Sequence, residues 1–303
     1  MCNLFIFCVI LKVKCYRSDI IMAAALAISN SIVCIGFIAS GSFRLKQMFK
    51  PVYNELMTPQ LCFRSSIHVL CWDYGNKLSS TLILLIAIER FITMLRQRPK
   101  PSGYNSYIFI IVTLIFVLNS ICNAVIVLAS LWGNRKQTII SKFCIHEQVI
   151  PEGCYFFEKF YILIADTMSA IVYFSAIGCL RRHQLSDYPS VRIVQEAREK
   201  MINQKFKSLI FCQLFLNVIP VIILIVLKMV RRGITVTDII WLMQPTNCTL
   251  QLVLFALSTA QLRDAIKGMA VKIVKVCHYV RCTAISELKN IKLVQNRTAG
   301  TES

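Results

Sequence analysis

The chain predicts an all-α membrane protein, a bundle of seven membrane-crossing helices with the first helix truncated at its N-terminus. Three observations predict it. Of 303 residues, 56% are hydrophobic and only 16% are charged, where soluble domains carry about 25% charge. Mean hydropathy is +0.61. The apolar residues gather in long uncharged blocks, Ile20–Phe43, Pro101–Asn134, Ser208–Leu227 and Ile239–Leu262, and each holds the ~20 residues that a bilayer crossing takes. Short basic clusters separate the blocks, as in membrane loops.

The first element is "NLFIFCVIL" ahead of Lys12. As a helix its nine residues cover only ~14 Å, and a signal peptide would want a basic start and a small-residue cleavage site. It therefore reads as the inner half of a first span, about 3–11, whose outer half is missing from the chain. The second span is 20–41. The third, 66–88, tolerates Asp73 and Lys77 because they stand four apart and face each other one turn away. The fourth is 107–132. The fifth, 160–180, carries one acid, Asp166. The sixth (208–227) and seventh (238–262) are interrupted by Pro220 and Pro245. Each proline removes a backbone hydrogen bond and favours a kink, so both are candidate hinges, although proline is also common in membrane helices. Ser190–Leu209 mixes charges at helical spacing, and reads as a cytoplasmic extension of span six or a plain solvated helix. Residues 1–262 thus form the seven-helix domain and 263–303 a basic tail.

Alternating the spans from a cytoplasmic turn at Lys12–Ser18 places Lys and Arg inside over outside at about two to one. That bias puts the C-terminus in the cytoplasm. Cys62, Cys144 and Cys154 then lie on the oxidising face, where a disulfide is stable. Cys277 and Cys282 lie just past the last span on the cytoplasmic tail, as palmitoylation candidates. The patterns at Asn247 and Asn296 fall in the membrane and in the cytoplasm, so both asparagines are expected to stay unglycosylated.

The net charge of +19 does not predict nucleic-acid binding, because a footprint needs one basic stripe rather than clusters between hydrophobic blocks. About half of the fourteen cysteines lie inside apolar blocks, no CxxC occurs, and His68, His146, His183 and His278 are scattered. No metal site follows from this spacing. GxGxxG, GxSxG and Walker patterns are absent, so neither an enzyme nor a cofactor is expected.

Glu89 and Arg90 end the third span, where an ion pair costs little because water and headgroups are near. With "IAIERF" (Ile86–Phe91), "FIFCVILKVKCYRSDII", "KFCIH" (Lys142–His146) and "STAQLRDAIK" (Ser258–Lys267), the chain resembles nematode serpentine chemoreceptors of the Sra, Srab and Sre group. It departs from them at "LSDYPSVR" in the third inner loop. It also departs from rhodopsin-like receptors generally. Span two has no acid, and "QPTNC" stands where those receptors carry Asn-Pro-x-x-Tyr.

The resemblance implies a rhodopsin-like, G-protein-coupled receptor of the plasma membrane that binds an extracellular small molecule and activates a heterotrimeric G protein. It implies a switch at Glu89 and Arg90, against a passive interfacial pair as the plainer reading. Trp72, Asp73, Asp166, Trp241 and Gln244 are the candidates for a ligand pocket. Asp73 reads equally as a partner of Lys77, and Asp166 as an interhelix bond. The outer disulfide is expected between Cys62 and Cys144, with Cys154 competing for Cys144's place. The alternatives are a membrane transporter or channel subunit, against which stand the missing internal repeat and few interior charges, and a defective gene product.

Overall fold

A computed structural model describes residues 18–49, 56–96, 103–132, 140–141, 144–183, 210–229 and 246–251, with a few isolated positions elsewhere. The first span apart from Cys8 lies outside these residues, as do Trp241, Gln244, Pro245, Cys277, Cys282 and Asn296. The described chain is almost entirely helical. In order it forms α1 (Ser18–Met48), β1 (Leu56–Met57), α2 (Pro59–Ser65), α3 (Ile67–Arg96), α4 (Tyr104–Trp132), β2 (Ile140–Ser141), α5 (His146–Val149) and α6 (Glu152–His183). Helical residues 210–213 then lead through a π-helical turn, Leu214–Val218, into α7 (Ile219–Met229).

Helices α1, α4 and α6 are each long and apolar enough to cross a membrane. The faces they leave open are apolar too. On α4 only Ile108, Val112, Asn119, Ile126 and Ser130 are buried, and these recur at four- and seven-residue steps along one stripe. Outside the stripe Phe109, Ile110, Leu114, Leu118, Ile121 and Val125 are exposed. So large an exposed apolar surface marks a membrane or interaction face rather than a water-facing one.

Helix α3 is central. It packs most broadly on α1 and α6 and also meets α4. Two glycines permit the close approach to α1. A Cβ on Gly75 would stand 2.6 Å from Val33 Cγ2 and 3.1 Å from its backbone nitrogen, and one on Gly36 would stand 2.8 Å from Trp72 Cδ1. Ser29 Oγ donates to the Gly75 carbonyl at 2.9 Å across this contact, small-residue packing typical of membrane helices. The main core layer joins Met22 and Leu26 of α1, Leu78, Leu82, Ile83 and Ile86 of α3, Ile108 and Val112 of α4, and Tyr173 of α6.

The two ends of the bundle are built differently. At one end α1 and α4 begin and α3 finishes, and the Ser18 amide donates to Asn105 Oδ1 at 3.1 Å. The other end is capped. There Leu56 and Met57 pair antiparallel with Ser141 and Ile140. Helix α2 starts at Pro59 behind the Thr58 cap, a proline and hydroxyl arrangement suited to the unsatisfied first turn. Gln60 Nε2 donates to the Leu131 carbonyl at 2.9 Å. A disulfide joins Cys62 to Cys144, with Cα atoms 5.6 Å apart. Cys154, the expected competitor, is a free thiol packed beside the pair.

Helix α6 differs most from its expected span. It begins at Glu152, not near Phe160, so Glu158 and Lys159 belong to the helix rather than to an outer loop. The helix continues because burial against α3 and the capping loop, not apolar composition, stabilises its first two turns.

Candidate functional site

Asp73, Ser80 and Glu89 mark three polar layers along α3. At 1.5 Å rise per residue they lie roughly 10 and 14 Å apart.

The layer at the disulfide end is a buried charged cluster. Lys77 Nζ donates to Asp73 Oδ2 at 2.8 Å, so the one-turn pair expected on α3 forms. From α6, Lys159 Nζ donates to Glu158 Oε1 at 3.2 Å. His146 of α5 brings Nε2 to 3.6 Å from Glu158 Oε2. Asp73, Lys77, His146, Glu158 and Lys159 all have at most 2% of their surface exposed. Burial, with the Lys159 ammonium adding to it, holds the His146 imidazole down at about 3. Trp72, a candidate pocket residue, packs between the Phe37 and His68 rings, each centroid 5.1 Å away, and stands 6.2 Å from His146. Cys144 aims the chain into α5 from a left-handed backbone conformation, φ 50°. The disulfide thereby sets His146 directly over α3.

The middle layer centres on Asp166, fully buried on α6. Asn217 Nδ2 donates to its Oδ2 at 2.5 Å, and Ser80 and Gln213 flank the same carboxyl. Asn217 sits in the π-helical turn, whose closing bond runs from the Ile219 amide back to the Leu214 carbonyl. Pro220 follows at once. Its ring lacks an amide hydrogen and crowds the carbonyl four residues back, and an i→i+5 turn relieves that conflict. The layer continues sideways. Gln251 Nε2 donates to Gln213 Oε1 and to Asn247 Oδ1 at 2.9 Å. Asn30 Nδ2 donates to the Cys248 carbonyl at 3.2 Å, and Asn30 Oδ1 accepts from Ser79 Oγ at 3.0 Å. Five helical segments thus meet in one hydrogen-bonded layer. Asp166 takes the interhelix role here, about twelve ångströms along α6 from Glu158 at helical rise, and does not join Asp73.

The third layer lies at the opposite end. Glu89 is 2% exposed. Its Oε1 accepts from Ser18 Oγ at 3.2 Å and from Thr93 Oγ1 at 3.4 Å. Arg90 Nε stands 3.4 Å from Glu89 Oε2. The pair is therefore anchored to α1 through Ser18, a contact that the adjacent charges alone do not announce.

His146, Glu158 and Lys159 are the residues that sequence reasoning missed. A Glu-Lys dipeptide eight residues before Asp166, at helical spacing from it, was the available signal for α6 starting early. Comparison with known proteins gives no match to any family model and none to any curated protein.

Proposed function

We propose that the chain is a seven-helix, G-protein-coupled chemosensory receptor of the plasma membrane, with α1, α3, α4, α6, the 210–229 helix and the 246–251 segment belonging to spans two to seven. An extracellular small molecule acts at the disulfide end. A heterotrimeric G protein engages the opposite, cytoplasmic end. The observation that carries this reading is Glu89, a carboxylate buried at the end of the central helix, tied to Ser18 on the neighbouring helix and set against Arg90. An acid with that little exposure costs free energy unless its partners compensate it. Here the compensation is a restraint on an arginine at the face where a partner protein docks. Ligand shifts the population toward a state in which this restraint is broken and the inner ends of α3 and the proline-bearing helix part.

The test is signalling by variants at matched surface expression. Glu89→Gln is expected to raise ligand-free G-protein activation. Loss of a charge-assisted bond of ~1.5–3 kcal/mol enlarges a minor active population by roughly ten- to a hundredfold when the active state does not share the bond. Arg90→Ala is expected to abolish activation while ligand binding persists. Unaltered activation by both variants reduces the pair to a helix end.

A second reading has one observation in its favour. Glu158 and Lys159 join Asp73, Lys77 and Asp166 in the interior, and several buried ionisable groups are a mark of transporters. Solute uptake or ionic current in proteoliposomes of the purified chain would select it.

A further inference from the structure

We infer that Asp73, His146 and Glu158 form a binding site for a single divalent cation of the zinc class at the disulfide end of the bundle. One ligand atom from each of the three lies within 4.8 Å of the others, and all three residues are buried. They come from α3, α5 and α6, so an ion there clamps the capping loop to both long helices. Each carboxylate is divided in the same way. Asp73 gives Oδ2 to Lys77, and Glu158 gives Oε1 to Lys159. The second oxygens, Asp73 Oδ1 and Glu158 Oε2, are buried and make no hydrogen bond among the described residues. Glu158 Oε2 is the atom that faces His146 Nε2. An acceptor left in this condition in a dry site costs free energy, and a cation removes that cost.

The donor set identifies the ion. One imidazole nitrogen and two carboxylate oxygens suit zinc, whereas magnesium and calcium take oxygen alone. Zinc ligands at ~2.0–2.2 Å stand roughly 3.5 Å apart in a tetrahedron. The three atoms thus need to close by about 1 Å, within the reach of side-chain rotation, leaving the fourth position to water. The lysines act as outer partners that orient each carboxylate, the usual arrangement behind metal ligands. They also set the affinity. Two ammonium groups already neutralise the two carboxylates, so a divalent ion brings uncompensated positive charge. Binding should therefore tighten when either lysine charge is removed.

This site does not rest on the receptor reading, since binding is measured without signalling. The full chain in lipid nanodiscs is stripped with chelator, loaded with zinc chloride and desalted. We expect one zinc retained per chain and a higher melting temperature than the stripped protein. His146→Gln and Glu158→Gln should each lower zinc affinity at least tenfold, and Lys77→Met should raise it at least tenfold. Cobalt in place of zinc should give ligand-field bands without thiolate charge transfer, which separates this site from binding at the fourteen cysteines. Absence of stoichiometric zinc overturns the proposal. So does zinc retained with unchanged affinity by both glutamine variants, or cobalt spectra with thiolate character.

Discussion

Glu158 and Lys159 show how closely the interior charges depend on one another. They are adjacent, opposite in sign and essentially without solvent contact. Removing one partner strands the other charge, whereas neutralising both leaves no stranded charge. Lys159→Met is thus expected to destabilise by ~3–5 kcal/mol, and the added change Glu158→Gln to recover much of that loss. Urea unfolding in mixed micelles measures the cycle, and additive effects would refute the pairing. His146 gives a pH prediction from the same cluster, where it faces His68, Asp73 and Lys77 from α3 and Tyr155, Glu158 and Lys159 from α6. Its folded value of about 3 lies below the ordinary 6.5, so the unfolded chain binds the proton first. The contribution is whole above about pH 6.5 and falls as pH drops toward 3. From pH 7 to 5 this one group removes about 2 kcal/mol. His146→Gln should flatten that part of the stability curve, and parallel curves for the two proteins would rule the account out.

Between the helices, separation is the sensitive quantity. Gly75 lets α3 approach Val33 and Ser29 of α1, so Gly75→Leu must push the helices apart or force Val33 off its rotamer. A loss of ~1–3 kcal/mol is expected, whereas the same change at Gly178, where a Cβ meets nothing within 4 Å, should be tolerated. Matched melting curves for the two variants would show the contact to be slack. The π-helical turn makes a second element-scale prediction. Pro220→Ala restores an amide donor and lets Leu214–Val218 relax to α-helical hydrogen bonding, which turns Asn217 away from Asp166. The coupling between Asn217→Ala and Asp166→Asn, measured by thermal unfolding, should then fall toward zero in the Pro220→Ala background. Coupling of undiminished size would mean that the turn does not need the proline. Much at this scale was legible in the residues. Uncharged blocks located α1, α4 and the 210–229 helix, because a helix that lacks polar side chains on its outer face advertises itself by composition. The start of α6 was not legible. Its first turns carry Glu152, Glu158 and Lys159, and the last two are buried beside a loop held by a disulfide between cysteines 82 residues apart in sequence. The same reason hid His146 from the candidate site, since its neighbours arrive from α3 and α6 and no local spacing relates them.

Across the whole molecule, the capped end and the open end differ in chemistry as well as in shape. The capped end holds the only disulfide among the described residues, and a bridge of this kind persists where the surroundings are oxidising. The open end gathers Ser18, Glu89, Arg90 and Asn105, and α3 ends on the basic residue Arg96, with Arg98 and Lys100 next in sequence. Positive residues next to a span are retained on the cytoplasmic side. Redox chemistry and charge both favour the proposed orientation, with the capped end outside and the open end in the cytoplasm. Cross-linking the cap closes a long loop, for which a native bridge contributes ~2–4 kcal/mol, so Cys62→Ser should lower both stability and surface delivery. The proposed orientation predicts that an epitope on the C-terminal tail is reached by antibody only after permeabilisation, and that Asn296 stays bare during synthesis with microsomes. In the same intact cells a membrane-impermeant maleimide should label Cys62 and Cys144 only after an impermeant reductant has opened the bridge. Tail epitope detected on unpermeabilised cells, with the cysteine pair silent, would invert the molecule. It would place Glu89 and Arg90 on the face away from the proposed G protein.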